Sequence, residues 1–447
     1  MKIHTIGGYS EVGKNMTVVE IGEDAFIFDM GLHLPPIVEL EDEERKKGYT
    51  EQVLRRIKAL PSDEILEKKG IKNKVRAILV GHAHLDHVGG IPFIGYRYPQ
   101  AGVYGTPFTT SVLKNLVKDG EGQLYNKVYS VNPNSSMTIK GKSDTYTVEF
   151  LNMTHSTPQT SMIALHTKEG IVAYALDFKL DNSPVMGLKP NYEGFKRIAK
   201  KGVKALILDA LYSQAVGKTP SETIARHLLE EVMLTPQNHD NGMLITTFSS
   251  HIARLKSIVE FGKKLNREIV FVGRSLNKYV QSAREVKLCP FYNDIKLATY
   301  RRQIDSVMKK VNKEKTRYLL VTTGHQGEPG SVMERISRRE FPYNLTARDH
   351  IIFSSKTIPT PKNLENKDVM TRRLKRTGVR IYENVHVSGH GHVEDIRDLI
   401  EMVQPEHLLP SHGEHKLTGA SEEIAKEIGY KPGKTFHLLE DGETIEI

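Results

Sequence analysis

The sequence predicts an α/β fold in which a doubly wound parallel layer occupies the middle of the chain. Three observations carry that expectation. Apolar runs of strand length, Met243 to Thr247, Glu268 to Val272 and Tyr318 to Thr322, alternate with helical segments, the βαβ order that buries a parallel sheet between helices. Before and after this stretch, other strand-like runs end in histidine or aspartate, and α/β proteins place their chemistry at such strand ends. At 447 residues the chain exceeds one comfortable core, so two or three domains, or one domain with a large insertion, are expected.

In chain order, Thr17 to Ile21 and Ala25 to Phe28 read as short strands that end at Asp29-Met30-Gly31. Residues 35 to 74 break the pattern with prolines, a charged run from Glu39 to Lys47, and a helix carrying Val53, Leu54, Ile57 and Leu60 on one face. This segment is expected to be a surface insertion, punctuated by Pro61 and Gly70. The apolar run Val75 to Val80 then delivers His82-Ala83-His84-Leu85-Asp86-His87, four metal-ligand types in six residues, followed by Gly89-Gly90. Imidazole suits zinc and carboxylate supplies a hard oxygen, so close sets of such ligands can hold two divalent ions around one activated water. The chemistry this suggests is hydrolysis.

Further strand-like pieces, Tyr146 to Leu151, Met162 to His166 and Ile171 to Leu176, place His155 and Asp177 at junctions from which they can converge on that motif. Either residue alone would be an ordinary hydrogen-bonding group. Val203 to Leu208 is a buried strand ending at Asp209, after which the second unit begins. Thr219-Pro220-Ser221-Glu222 is expected to start a helix through a capping box, with proline at the first position. Strand ends in this unit carry Thr246 to His251, Gly273-Arg274-Ser275 and Thr323 to Pro329, donor-rich loops of the kind that hold phosphate, although each alone is also ordinary turn chemistry. The last stretch holds Val385 to His392, a helix with Val393, Ile396, Leu399, Ile400 and Val403 on its apolar side, and Leu408 to His415.

Composition narrows the partners. Lys and Arg number 63 against 54 Asp and Glu, a formal charge of +9 that favours a polyanion. Aromatic residues are 7% of the chain and tryptophan is absent, so recognition centred on a phosphate backbone fits better than a base-stacking platform. Runs such as Arg372 to Arg376 and Lys309 to Lys315 are solvated faces by default. No segment has the length and apolarity of a membrane span, and Met1-Lys2-Ile3-His4 opens no secretory signal, so a cytoplasmic location without membrane contact is expected. The single cysteine, Cys289, excludes an internal disulfide framework and is expected to be a packed hydrophobe.

Taken together, Asp29, His82 to His87, His155, Asp177, Asp209, His390 and His412 resemble the ordered motifs of the metallo-β-lactamase superfamily, and within it the β-CASP nucleases of the ribonuclease J type. The resemblance spans nearly the whole chain, and Gly324 to Pro329, with Thr219 to Glu222, Ser388 to His390 and Ser411-His412, carries its ribonuclease J character. The compact length and the insertion at 35 to 74 are similar to archaeal members. The implied fold is an α/β metallo-β-lactamase αββα sandwich with an inserted doubly wound β-CASP domain: residues 1 to 209 and 363 to 447 in the former, 210 to 362 in the latter.

The same resemblance implies two Zn²⁺ per subunit, with Mn²⁺ as the alternative. One ion would be held by His82, His84 and His155, the other by Asp86, His87 and His412, with Asp177 between them. Asp29 would orient histidine ligands from behind, Asp209 would orient His390 or its loop in a similar way, and Asp86, Asp177 and His390 would carry catalysis. Ser250, His251, Ser388, Gly389 and His390 would bind a substrate phosphate. The implied activity is hydrolysis of single-stranded RNA as a 5′-to-3′ exonuclease favouring 5′-monophosphate ends, with a homodimer open. The histidine at 412 points to RNA, because DNA-repair members typically carry valine there. A β-CASP endoribonuclease is the alternative, and behind it a small-substrate hydrolase of the same superfamily or a non-catalytic RNA-binding protein.

Overall fold

The computed structural model describes residues 1–40, 48–235, 240–358 and 360–447; most of the charged run Glu39 to Lys47 lies outside them. The chain packs into two compact units, one built from Met1–Asn182, Gly187–Thr219 and Gly389–Ile447, the other from Ser183–Met186 and Pro220–Ser388.

In the first unit, β1 (Lys2–Gly7), β2 (Met16–Ile21), β3 (Asp24–Phe28), β4 (Val75–Leu79), β5 (Gly102–Gly105) and β6 (Val128–Ser130) form one sheet in that order. A second sheet follows, with β7 (Ser135–Lys140), β8 (Thr145–Asn152), β9 (Ser161–Thr167), β10 (Gly170–Ala175) and β11 (Val203–Asp209) as successive neighbours. The central strands of this second sheet are apolar on both faces, and the strand period of two sorts their side chains into two cores. Val148, Phe150, Ile163, Leu165, Val172, Tyr174, Ala205 and Ile207 face the first sheet, where they meet Ile3, Val19, Phe26, Phe28, Ala77 and Leu79. Leu151, Met162, Ala164, Ala173, Leu206 and Leu208 turn the other way, onto the helices Tyr192–Lys201 and Val393–Val403 through Phe195, Ile198, Ile396, Leu399 and Ile400.

The second unit is a single sheet. Its strands β12 (Gly242–Thr246), β13 (Glu268–Val272), β14 (Ile295–Ala298), β15 (Tyr318–Thr322), β16 (Asp349–Phe353) and β17 (Arg380–Tyr382) lie in the order β14-β13-β15-β12-β16-β17, with every pair parallel. This is the doubly wound layer expected from the βαβ pattern. The chain then returns: β18 (His407–Ser411) pairs parallel with β11, and β19 (Thr444–Glu446) pairs antiparallel with β1. The result is a metallo-β-lactamase sandwich of two facing sheets with a β-CASP layer inserted in sequence. No helix among the described residues is long and apolar enough to cross a membrane.

Three local expectations change. The return to the first unit falls at Gly389 rather than 363, because the helix Pro361–Lys375 buries Met370 and Leu374 in the second unit's core and β17 pairs with β16. The helix expected from Thr219 starts at Glu222 with Ser221 as its cap, the Ser221 hydroxyl accepting from the Thr223 N–H. Thr219 is otherwise engaged, as described below. Residues 48 to 74 of the expected insertion are anchored rather than merely superficial: Leu54 and Leu66 are buried, and buried Asp63 accepts from Arg55, Arg97 and Tyr98.

Candidate metal centre

Six strand ends of the first unit supply the candidate residues. β3 leads to Asp29, β4 to His82, β8 to His155, β10 to Asp177, β11 ends at Asp209 and β18 leads to His412. Asp29, Asp177 and His412 sit at φ 58°, 56° and 68°, the left-handed region that costs a non-glycine residue about 1 kcal/mol or more. Three such turns directly after strands are held by their surroundings, the pattern in which backbone strain collects at functional sites. Gly31 belongs to the same construction: a Cβ there would lie 1.7 Å from the Asp86 carbonyl oxygen, so only glycine lets this turn pass the short helix Leu85–Val88.

The structure brings metal-ligand types together in three groups that share Asp177: one with Asp209 and His390, and two that gather the expected ligands. In the first of these two sets, His82 Nε2 lies 3.0 Å from His84 Nδ1 and 3.2 Å from Asp177 Oδ2. His155 Nε2 lies 3.2 Å from His84 Nδ1 and 3.5 Å from the same Asp177 oxygen. In the second set, Asp177 Oδ1 is 3.2 Å from His87 Nε2 and 3.5 Å from His412 Nε2, while Asp86 Oδ2 is 3.6 Å and 3.9 Å from those two nitrogens. A tetrahedral ion with ligand bonds of about 2.0–2.1 Å has donor–donor edges of about 3.4 Å, so both sets are spaced to surround a cation. Buried Asp177 Oδ1 also makes no hydrogen bond, although an orphaned carboxylate oxygen is costly away from water. The residues fit divalent metal.

Outer partners fix the rings. His87 Nδ1 donates to Asp29 Oδ2 at 2.6 Å, and Asp29 also accepts from Tyr174 Oη and the Gly81 N–H, both at 2.8 Å. His155 Nδ1 donates to the Gly389 carbonyl at 2.7 Å, and His412 Nδ1 donates to Asn15 Oδ1 at 3.1 Å. Each bond holds the tautomer that leaves Nε2 facing the donor set. Asn15 and Tyr174 were not foreseen: an asparagine just before a strand and a tyrosine within one carry no sequence signal of such a role. His390 Nδ1 donates to Asp209 Oδ2 at 2.7 Å, and the His390 ring lies 5.0 Å from His155 and 5.5 Å from His412.

Charge follows from this crowding. Burial is the largest influence on every group. It pushes His82 down to about 3 and His155 well below its ordinary value, keeping both neutral, the state in which imidazole binds metal. On His390 burial is overcome by the Asp209 and Asp177 carboxylates, which raise it to about 9. The imidazoles of His412, His87 and His390 outweigh burial at Asp177 and hold it well below the usual carboxylate range.

The candidate phosphate ligands divide between the units. Ser250 and His251 follow β12 in the second unit, where His251 Nε2 lies 3.4 Å from Glu222 Oε2, and Ser388 closes that unit. Gly389 and His390 open the return segment of the first.

Comparison with known proteins agrees with the fold. Residues 9–207 match the metallo-β-lactamase superfamily, 240–371 the ribonuclease J β-CASP domain, and 378–434 the Zn-dependent metallo-hydrolase RNA specificity domain. A solved structure of a protein of unknown function from Enterococcus faecalis shares the fold at a TM-score of 0.65, with 17% identity over 99% of both chains. These define the class, a metallo-β-lactamase hydrolase fold with a β-CASP insertion. Ribonuclease J of Pyrococcus abyssi is 39% identical across 100% of this chain and 97% of its own, and that of Methanocaldococcus jannaschii is 37% identical across 100% and 98%. The chain belongs to the ribonuclease J family.

Proposed function

We propose that the chain is a metal-dependent ribonuclease that binds two divalent ions, Zn²⁺ or alternatively Mn²⁺, and degrades single-stranded RNA from its 5′ end. The observation that carries this is Asp177, whose two oxygens each belong to a different donor set. In this reading His82, His84 and His155 would hold one ion and Asp86, His87 and His412 the other, with Asp177 contributing to both sets. When bound, such a pair activates water and neutralises charge on phosphoryl oxygens. Asp29 and Asn15 keep His87 and His412 oriented. His390, with Nδ1 committed to Asp209, presents Nε2 to the scissile phosphate and donates a proton to the departing O3′. Breaking that bond leaves a 5′-phosphate on the downstream product, and the 2′-hydroxyl takes no part.

Gly389 and His390 receive the 5′-monophosphate, for which backbone amides are apt donors. A cytoplasmic location completes the reading. The test is a rate comparison on 5′-monophosphate, 5′-triphosphate, 5′-hydroxyl and circular RNAs with metal-loaded protein. The monophosphate should be fastest and the circle should survive. Equal rates on all three ends would remove the phosphate pocket, and a cut circle would make the chain an endoribonuclease.

A further inference from the structure

The loop that carries His390 is tied down by a carboxylate that belongs to neither donor set. Asp395 is fully buried and stands in the first turn of the helix Val393–Val403. An acidic residue at that position ordinarily reaches back to the backbone N–H at the helix start, and Asp395 Oδ2 does accept from the His392 N–H at 3.2 Å. It accepts two further donors that capping does not require. The Thr219 N–H reaches the same oxygen at 2.7 Å, and the Leu180 N–H reaches Oδ1 at 3.1 Å. One carboxylate therefore joins the segment just after Asp177, the point where the chain leaves the first unit, and the loop through which it returns.

Thr219 completes the connection. Its hydroxyl donates to the His390 carbonyl at 2.7 Å and accepts from the His392 N–H at 2.9 Å, so the peptide planes on both sides of Gly391, the first of which carries the His390 carbonyl, are pinned. Gly391 fits only because it lacks a side chain: a Cβ there would lie 2.9 Å from Asp395 Cβ and 3.2 Å from the Phe178 carbonyl oxygen. The Asp209 bond fixes the ring direction of His390, and the Asp395–Thr219 pair fixes the backbone from which the ring projects. All of these anchors lie in the first unit, beside the donor sets.

We propose that Asp395 and Thr219 form a positioning clamp for His390, setting the distance between its imidazole and the Asp177 centre. The proposal rests on the catalytic role given to His390 above. A shift of about 1 Å in a reacting group can cost about a hundredfold in rate, so a clamp acting only through backbone position can govern turnover.

The experiment uses metal-loaded protein with Thr219→Val, Thr219→Ser, Asp395→Asn, His390→Ala and the Thr219→Val/His390→Ala double variant. kcat, KM on RNA, bound metal and thermal melting are measured for each. Valine keeps the shape of threonine and removes its hydroxyl, so Thr219→Val should fold, keep its metal and its KM, and lose roughly tenfold to a hundredfold in kcat. Serine should restore most of that loss. Asp395→Asn, which sets an amide N–H against two N–H donors, should follow the valine variant. The double variant should be no slower than His390→Ala alone, because a clamp with nothing to position has no further effect. Losses that multiply in the double variant, a Thr219→Val protein that loses metal, or failure of serine to rescue would each overturn the clamp. Full turnover by His390→Ala would instead overturn the role of His390, and the clamp with it.

Discussion

The two units bury charge at their strand ends in opposite ways. In the first, Asp86, His87, Asp177 and His412 set carboxylate oxygens and imidazole nitrogens 3.2 to 3.9 Å apart, with no lysine or arginine among them. In the second, beside β12, fully buried Arg254 meets Glu222 through two hydrogen bonds of 2.6 and 2.8 Å and spends its remaining nitrogen on the Ser354 hydroxyl and carbonyl. Histidines flank both sites, so histidine alone does not mark chemistry. The difference lies in what balances the acid. The second unit balances its acid with a fixed guanidinium, whereas the first faces its carboxylates with imidazoles, which can give up their protons to a divalent ion, and that is what makes it a candidate site.

Breaking the first arrangement should have the largest effect. Asp177→Asn removes the negative charge that both donor sets share. Turnover should fall by about a thousandfold, the several kcal/mol that metal-centred charge stabilisation supplies at about 1.4 kcal/mol per factor of ten. Elemental analysis should show reduced metal per chain. Full metal content in this variant would mean that Asp177 does not bridge.

The second arrangement should respond in stability instead. Arg254→Met leaves Glu222 as a buried uncompensated charge, and loss of one partner of such a pair costs about 3–5 kcal/mol. Denaturant melts should record that loss while metal per chain stays at the wild-type value. Adding Glu222→Leu should recover most of it, because an apolar pair replaces a buried ion pair at little cost. A double variant as unstable as the single one would show that Arg254 does more than balance Glu222.

Much of this contrast was legible in the sequence, for a physical reason. A strand buried on both faces reads as a continuous apolar run, so its end is visible wherever a histidine or aspartate interrupts it, as at His82, Asp177 and Asp209. What escaped were polar groups whose partners are remote in sequence. Thr219 has the spacing of a helix cap, yet its hydroxyl bonds to His390, and Asn15 reaches residues more than seventy positions away. The end of the second unit was missed because the helix Pro361–Lys375 is basic and looks solvated, while only Met370 and Leu374 of its apolar residues are fully buried.

An intermediate effect is expected behind the proposed metal ligands. Asp29→Asn keeps the size of the side chain but weakens the bond to His87 Nδ1, so His87 loses the partner that fixes its tautomer. Metal affinity should drop about 10- to 100-fold, the usual consequence of altering such an outer partner. Competition with a metal-binding dye measures it. Unchanged affinity would place the orienting function with Tyr174 or Asn15 instead.

The opposite end of the same strand offers the smallest and most specific test. Asp24 opens β3 as Asp29 follows it, and it is equally buried, but like Arg254 it belongs to a closed group. Its carboxylate accepts from Arg76 Nε at 2.5 Å, from the Lys142 and Ser143 N–H groups at 2.7 Å, and from Tyr146 Oη at 3.1 Å. Burial favours the neutral acid, yet these donors outweigh it and hold Asp24 at about 2 against an ordinary 3.8. Because the folded value is the lower one, the charged group stabilises the fold above about pH 4, and that contribution fades as the pH falls through about 2. Asp24→Asn should therefore cost about 1–2 kcal/mol at neutral pH, and its urea midpoint should converge on the wild-type value towards pH 2. A gap that persists at pH 2 would mean that Asp24 acts through shape rather than charge. Its end of the strand would then differ from the metal end in packing, not in how charge is balanced.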